Sequence, residues 1–125
     1  MYIHDATLFS SASRTATTST TNANISGAIG AHLLINVSAG TTGGITPKIE
    51  GYDPVSATYY NLLTGTAITS TGHTVLRVGI GLESAANTIA NEYLPEDVKV
   101  TVTHATTGAY TYTIVLRKFF ATAKR

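Results

Sequence analysis

From Ala31 onward, apolar side chains fall on every second residue wherever the chain is not turning. "AHLLINVSAG" puts Leu33, Ile35 and Val37 on one face and His32, Leu34 and Asn36 on the other. "TVLRVGIGL" sets Leu76, Val78 and Ile80 inward against Val75 and Arg77. "DVKVTVTH" sets Val98, Val100 and Val102 against Lys99, Thr101 and Thr103, and "AYTYTIVLRKFF" turns Tyr110, Tyr112, Ile114 and Leu116 inward. A period of two is the period of a strand with one buried face. No helical period runs long enough to supply the crossover that parallel strands need. Single apolar faces are buried by packing one sheet on another. The pattern therefore predicts an all-β chain: an antiparallel β-sandwich of about seven strands, jelly-roll or Ig-like. Threonine, roughly one residue in five, agrees, because a β-branched side chain suits a pleated, half-buried surface.

The segments between these runs are turn chemistry. In "ITPKIEGYDPVSATYYNLL", Ile45, Pro47, Ile49 and Gly51 share one face. Pro47 cannot donate to a ladder, which predicts an edge strand or a bulge there. Pro54 presets φ for a turn, and Asp53 can accept from its own backbone two residues on. The stretch reads as a hairpin, with Tyr59 and Tyr60 pointing to opposite faces, so that one of them at most enters the core. "LESAANTIANEYLPED" reads as a long loop. "ATTG" between the last two strands reads as the short turn of an antiparallel hairpin.

The first 25 residues look different. "SSASRTATTSTTNANISG" is polar and small, and such a segment cannot bury enough apolar surface to order itself. It is expected to form an extended N-terminal arm over residues 1–25, ordered by adding a strand to a sheet edge on another molecule, with the sandwich domain spanning residues 26–125. Arg14, the only charged residue between Asp5 and Lys48, is the arm residue expected to meet an acidic partner.

Charged residues make up 12% of the 125-residue chain and the net charge is +1. So low a charge suits a surface covered by other protein, and it lacks the basic footprint of nucleic-acid binding. There is no cysteine, hence no disulfide or thiolate chemistry. No window approaches the ~18 apolar residues of a membrane span. "MYIHDATLFSSASRTA" has no basic n-region, so no signal peptide is expected and synthesis in a cytoplasm is.

Enzyme constellations are not legible. Glu50 and Asp53 fall on opposite faces of a strand by alternation, which is not how a hydrolytic carboxylate pair is arranged. His4, His32, His73 and His104 lack metal-ligand spacing. His104 ends a strand on its inward face, where a hydrogen bond at the core rim is expected. "GIG" at residues 79–81 has no helix after it to hold a phosphate. No catalytic, cofactor or metal residue is predicted. The residues singled out are Tyr52, Tyr59 and Tyr60, with Asp53 at their turn, because tyrosine combines large contact area with a polar tip and is enriched at interfaces.

"GYDPVSATYYNLLTGTAITSTGHTVLRVGIGL" followed by "NEYLPEDVKVTVTHA" resembles a family of small virion structural proteins of tailed bacteriophages. That family carries a G-K-D-P-x-S-x-x-Y-Y-x-L-L hairpin, a T-G-x-x-V-L-x-V-x-x-G strand and an L-P-x-x-W-x-V-x-V-x-H strand. The likeness runs from about Ile45 to about His104, with Tyr52 where the family often has lysine and Val98 where it often has tryptophan. The resemblance implies a β-sandwich particle component, a capsid decoration or accessory subunit found in the virion and made in the host cytoplasm. It further implies a phage capsid or other virion protein as partner; the low surface charge itself predicts a homo-oligomer, a trimer by analogy with three-fold capsid sites, or else a monomer that becomes ordered only on the shell. A tail or fibre component and a carbohydrate-binding module, which would stack sugars on coplanar exposed tyrosines, are the alternatives.

Overall fold

The structure is a computed structural model describing residues 1–20, 22–40 and 42–121. It contains ten strands rather than about seven, in two packed sheets, and no helix among the described residues. The strands are β1 (Tyr2–Arg14), β2 (Thr18–Ser19), β3 (Ala23–Asn24), β4 (Gly30–Gly40), β5 (Ile45–Asp53), β6 (Thr58–Thr64), β7 (Gly72–Gly79), β8 (Ile89–Asn91), β9 (Asp97–His104) and β10 (Tyr110–Phe120). The first sheet runs β1-β10-β4-β7-β8. The second runs β2-β9-β5-β6, with β3 also on β9. All pairings are antiparallel except the short β7–β8 contact.

The chain changes sheet at most connections; β2–β3, the β5–β6 hairpin and β7–β8 stay within one sheet. With β2 and β3 taken as one interrupted strand and β8 set aside, this is the eight-strand jelly-roll arrangement, which resolves the jelly-roll or Ig-like choice. It also corrects the last pairing. β9 and β10 lie in opposite sheets, so "ATTG" crosses the sandwich instead of closing a hairpin. Both strands have one apolar face, and alternation cannot tell partners in a ladder from partners across a core.

The core is what the alternation describes. Leu33, Ile35, Val37, Leu76, Val78, Val98, Val100, Val102, Tyr110, Tyr112, Ile114 and Leu116 are all buried. Ile80 is not; the strand ends at Gly79 and leaves it 51% exposed. Pro47 lies in a strand with neighbours on both sides, not at an edge. The Pro47 carbonyl accepts from Gly65 N–H at 2.8 Å, and because the N–H and C=O of one strand residue point to the same side, the missing donor costs no bond to β9. That side of Pro47 therefore faces the chain just past the end of β6. A register shift between Ile49 and Glu50 is a bulge that lets Leu62 and Leu63 both be buried.

The expected arm is the largest correction. Residues 2–14 do add a strand to a sheet edge, but to the chain's own sheet, pairing along β10 from Tyr2↔Phe120 to Arg14↔Tyr110. Phe9 is 5% exposed and packs on Tyr112, with ring centroids 6.0 Å apart. Ile25 is 1% exposed. A ladder broken by two register shifts holds β1 in the molecule's own sheet, with Phe9 and Ile25 as buried anchors, so a boundary between residues 25 and 26 divides one sandwich.

Candidate functional site

The β5–β6 turn is built as its sequence dictates. Asp53 accepts from Val55 N–H at 2.9 Å and from the Ser56 hydroxyl at 2.8 Å. The Ser56 bond first, then the Val55 amide, hold its carboxyl below the usual carboxylate range. Ala57 takes a left-handed φ of 55°, and Val55 stands at the tip, 95% exposed. Asp53 is thus occupied in shaping the turn.

Tyr52 and Tyr59 face each other across the hairpin, with ring centroids 5.0 Å apart and planes tilted by 51°. Lys99 Nζ lies 4.1 Å from the centre of the Tyr59 ring, a cation–π contact. Glu50 carries the same face onward, 3.5 Å from Lys48 Nζ and 4.0 Å from Lys99 Nζ. The Tyr59 hydroxyl donates to Asn22 Oδ1, tying the hairpin to the segment between β2 and β3.

Tyr60 points the other way, as alternation requires, yet it does not enter the core. Tyr60 is 46% exposed, although Val98, across Gly51 from it in the register, is fully buried. It lies over Gly51, where an added Cβ would fall 2.6 Å from Tyr60 Cζ and 2.9 Å from Pro95 Cγ. The missing side chain at Gly51 is what seats the ring against Pro95. The result is an open groove of about 560 Å³ lined by Tyr52, Asp53, Pro54, Tyr60, Pro95, Glu96 and Asp97.

Arg14 is elsewhere. His104 pairs with Ile45 at one end of β5, while Val98 pairs with Gly51 near the other; Arg14 belongs to the His104 end. Its guanidinium donates to the carbonyls of Ser10, Ala12 and Tyr112 at 2.8, 3.2 and 3.1 Å. It lies 4.8 Å from the Tyr112 ring centre and 5.1 Å from that of Phe9. It clamps its own strand and the neighbouring β10. Beside it, His104 Nε2 and the Tyr112 hydroxyl are 3.0 Å apart, the rim hydrogen bond expected of that histidine. Burial first, and Arg14 second, push the His104 pKa down.

The four hairpin residues, Tyr52, Asp53, Tyr59 and Tyr60, come together and Arg14 does not join them. The tyrosines form no coplanar platform: two are tilted on one face and the third is on the opposite face. Tyr110 and Tyr112, turned inward by the alternation, are buried and offer no ring for stacking. Among the described residues no three His, Cys, Asp or Glu side chains cluster as metal ligands. The bidentate Asp5–Arg117 pair, at 2.8 and 2.9 Å, was not legible, because its members are joined only by the β1–β10 register. No family model, curated protein or solved structure matches the chain.

Proposed function

We propose that this chain is a structural subunit of a tailed-phage virion, a capsid decoration or accessory protein that works by protein–protein contact. The observation that carries the reading is the β5–β6 hairpin, the segment on which the family resemblance begins. It presents two tyrosines, a proline and a tip valine to solvent on a turn made rigid by Asp53. A stiff aromatic protrusion suits a protein partner, because aromatic contact area loses little conformational entropy on binding. The jelly roll supports the reading by analogy only, since it recurs in viral capsid and lectin domains alike. The tilted, divided tyrosines favour a protein surface over a sugar.

Mass spectrometry of purified particles tests the proposal. The chain is expected at high copy, in proportion to the shell protein. A handful of copies per particle would move the assignment to the tail or fibre, and absence from particles would overturn it.

A further inference from the structure

The outer faces of the two sheets are unlike. On the second sheet, outward positions carry Thr46, Lys48, Glu50, Lys99, Thr101 and Thr103, an ordinary solvated face. On the first sheet, cross-strand register aligns three rows. One is Thr7–Val115–Leu34–Val75, the next Asp5–Arg117–His32–Arg77, the third Ile3–Phe119–Gly30–Gly79. An apolar row and an aromatic one thus flank a charged row on a face that no other element of the described chain covers. Ile3 in the third row, and Ile29 and Ile80 beside it, are 50%, 44% and 51% exposed. A hollow of about 260 Å³ opens there, above Gly30 and Gly79, with Ile29, Ile80, Leu82 and Phe119 among its walls.

We propose that this face is the contact between two copies of the chain, related by a two-fold axis parallel to the strands and passing between β10 and β4. Such an axis reverses each row onto itself: the outer two rows meet apolar on apolar and large on small, and the charged row pairs Asp5 with Arg77 at its ends while Arg117 faces the His32 ring at its centre. Asp5 meets Arg77 of the second copy, and Arg77 meets its Asp5. Arg77 needs such a partner: among the described residues no carboxylate lies within ion-pair distance of it. Asp5 can accept from a second arginine, since a carboxylate has about four acceptor sites and Arg117 uses two of them. Val115 meets Leu34, apolar on apolar. Phe119 comes over Gly30, and Ile3 over Gly79, large on small. The hollow at Gly30 is thereby filled by a ring from the second copy. Sheets packed face to face stand ~10 Å apart with strands nearly aligned, a gap that arginine and aspartate side chains span together. A contact of this kind is isologous and yields even-numbered assemblies, in place of the three-fold arrangement that the resemblance implies.

Sedimentation of the full chain over a range of micromolar concentrations tests the inference. Wild type is expected to be dimeric. Leu34→Glu puts a carboxylate in the apolar row, and Arg77→Glu faces Asp5 of the second copy with like charge; each is expected to weaken association about tenfold or more. Thr103→Glu, on the other sheet, is expected to change nothing. Circular dichroism checks folding, and if Leu34→Glu fails to fold, Arg77→Glu carries the test alone. A monomeric wild type overturns the proposal, and so does a dimer indifferent to both substitutions. If Leu34→Glu abolishes particle attachment while self-association is unchanged, the face belongs to a different partner and the proposal is likewise wrong. Because sedimentation involves no particle, its outcome is independent of the virion reading.

Discussion

Tyrosines at the two ends of the sandwich have opposite fates. At the His104 end, Tyr110 and Tyr112 are closed into the core, with Phe9 and the Arg14 guanidinium laid against Tyr112. Their hydroxyls are satisfied internally: Gly44 N–H donates to Tyr110 at 3.0 Å, and Tyr112 bonds His104. At the hairpin end, Tyr59 and Tyr60 stay exposed, braced by Lys99 and Pro95. The local sequences, "AYTYT" and "ATYYN", are close in composition. What differs is cover. β1 closes the first end with an edge strand, an aromatic ring and an arginine, and nothing in the described chain closes the second. Tyr110 and Tyr112 have both a lid and a partner for the hydroxyl, whereas Tyr59 has a hydroxyl partner in Asn22 but no lid, and it stays exposed.

The largest test of this contrast is removal of the lid. Deleting residues 1–14 strips β10 of its outer partner and uncovers the core around Tyr112. The shortened chain is expected to lose cooperative unfolding, or to become insoluble, when followed by circular dichroism and thermal melting. A truncated protein that melts like the full chain would mean that β1 is dispensable and that the first end is no more closed than the second.

Next in size is Tyr112→Ala. Removing a large buried aromatic costs about 3–5 kcal/mol, readable as a lowered midpoint in urea. Tyr59→Ala, the matching change at the open end, should cost only ~0.2–1 kcal/mol, the scale of a cross-strand pair.

Acid sharpens the comparison from a different side. Burial and Arg14 lower the His104 pKa in the folded state, so the unfolded chain takes up the proton first. Stability from this group is therefore complete above the ordinary histidine value of about 6.5 and is lost as pH falls from there towards the lowered folded value. His32 is shifted the same way, by burial and then by Arg77 and Arg117. His104→Asn is thus expected to flatten part of the loss between neutral and mildly acid pH, and leave the part that His32 carries. An unchanged pH profile in that variant would show that the closed end does not depend on a neutral imidazole.

The smallest effect on stability is expected to be the largest on attachment. If the virion reading holds, Tyr59→Ala melts close to wild type yet binds particles at least about tenfold more weakly, as loss of an interface aromatic does. Equal binding would leave the hairpin without a contact role.

Alternation determined β4, β5, β7, β9 and β10 and their buried faces, apart from Ile80, and turn chemistry determined the turn at Asp53, because both are local properties of the backbone. Local sequence also placed His104 at a rim, since parity along β9 turns it the same way as the three buried valines. Three decisions belonged to the tertiary structure. Whether β9 pairs with β10 or packs opposite it depends on which strands fill the space between, and β4 and β1 take both edges of β10. Whether residues 2–14 form an arm or a strand depended on a free β10 edge and a pocket for Phe9, both made by residues about a hundred positions away. Finally, the outer rows of the first sheet exist only as register: Asp5, His32, Arg77 and Arg117 are scattered in sequence and fall into line because four strands meet in one alignment. Long-range pairing is set by the joint burial of many single faces, and no window of the sequence contains that sum.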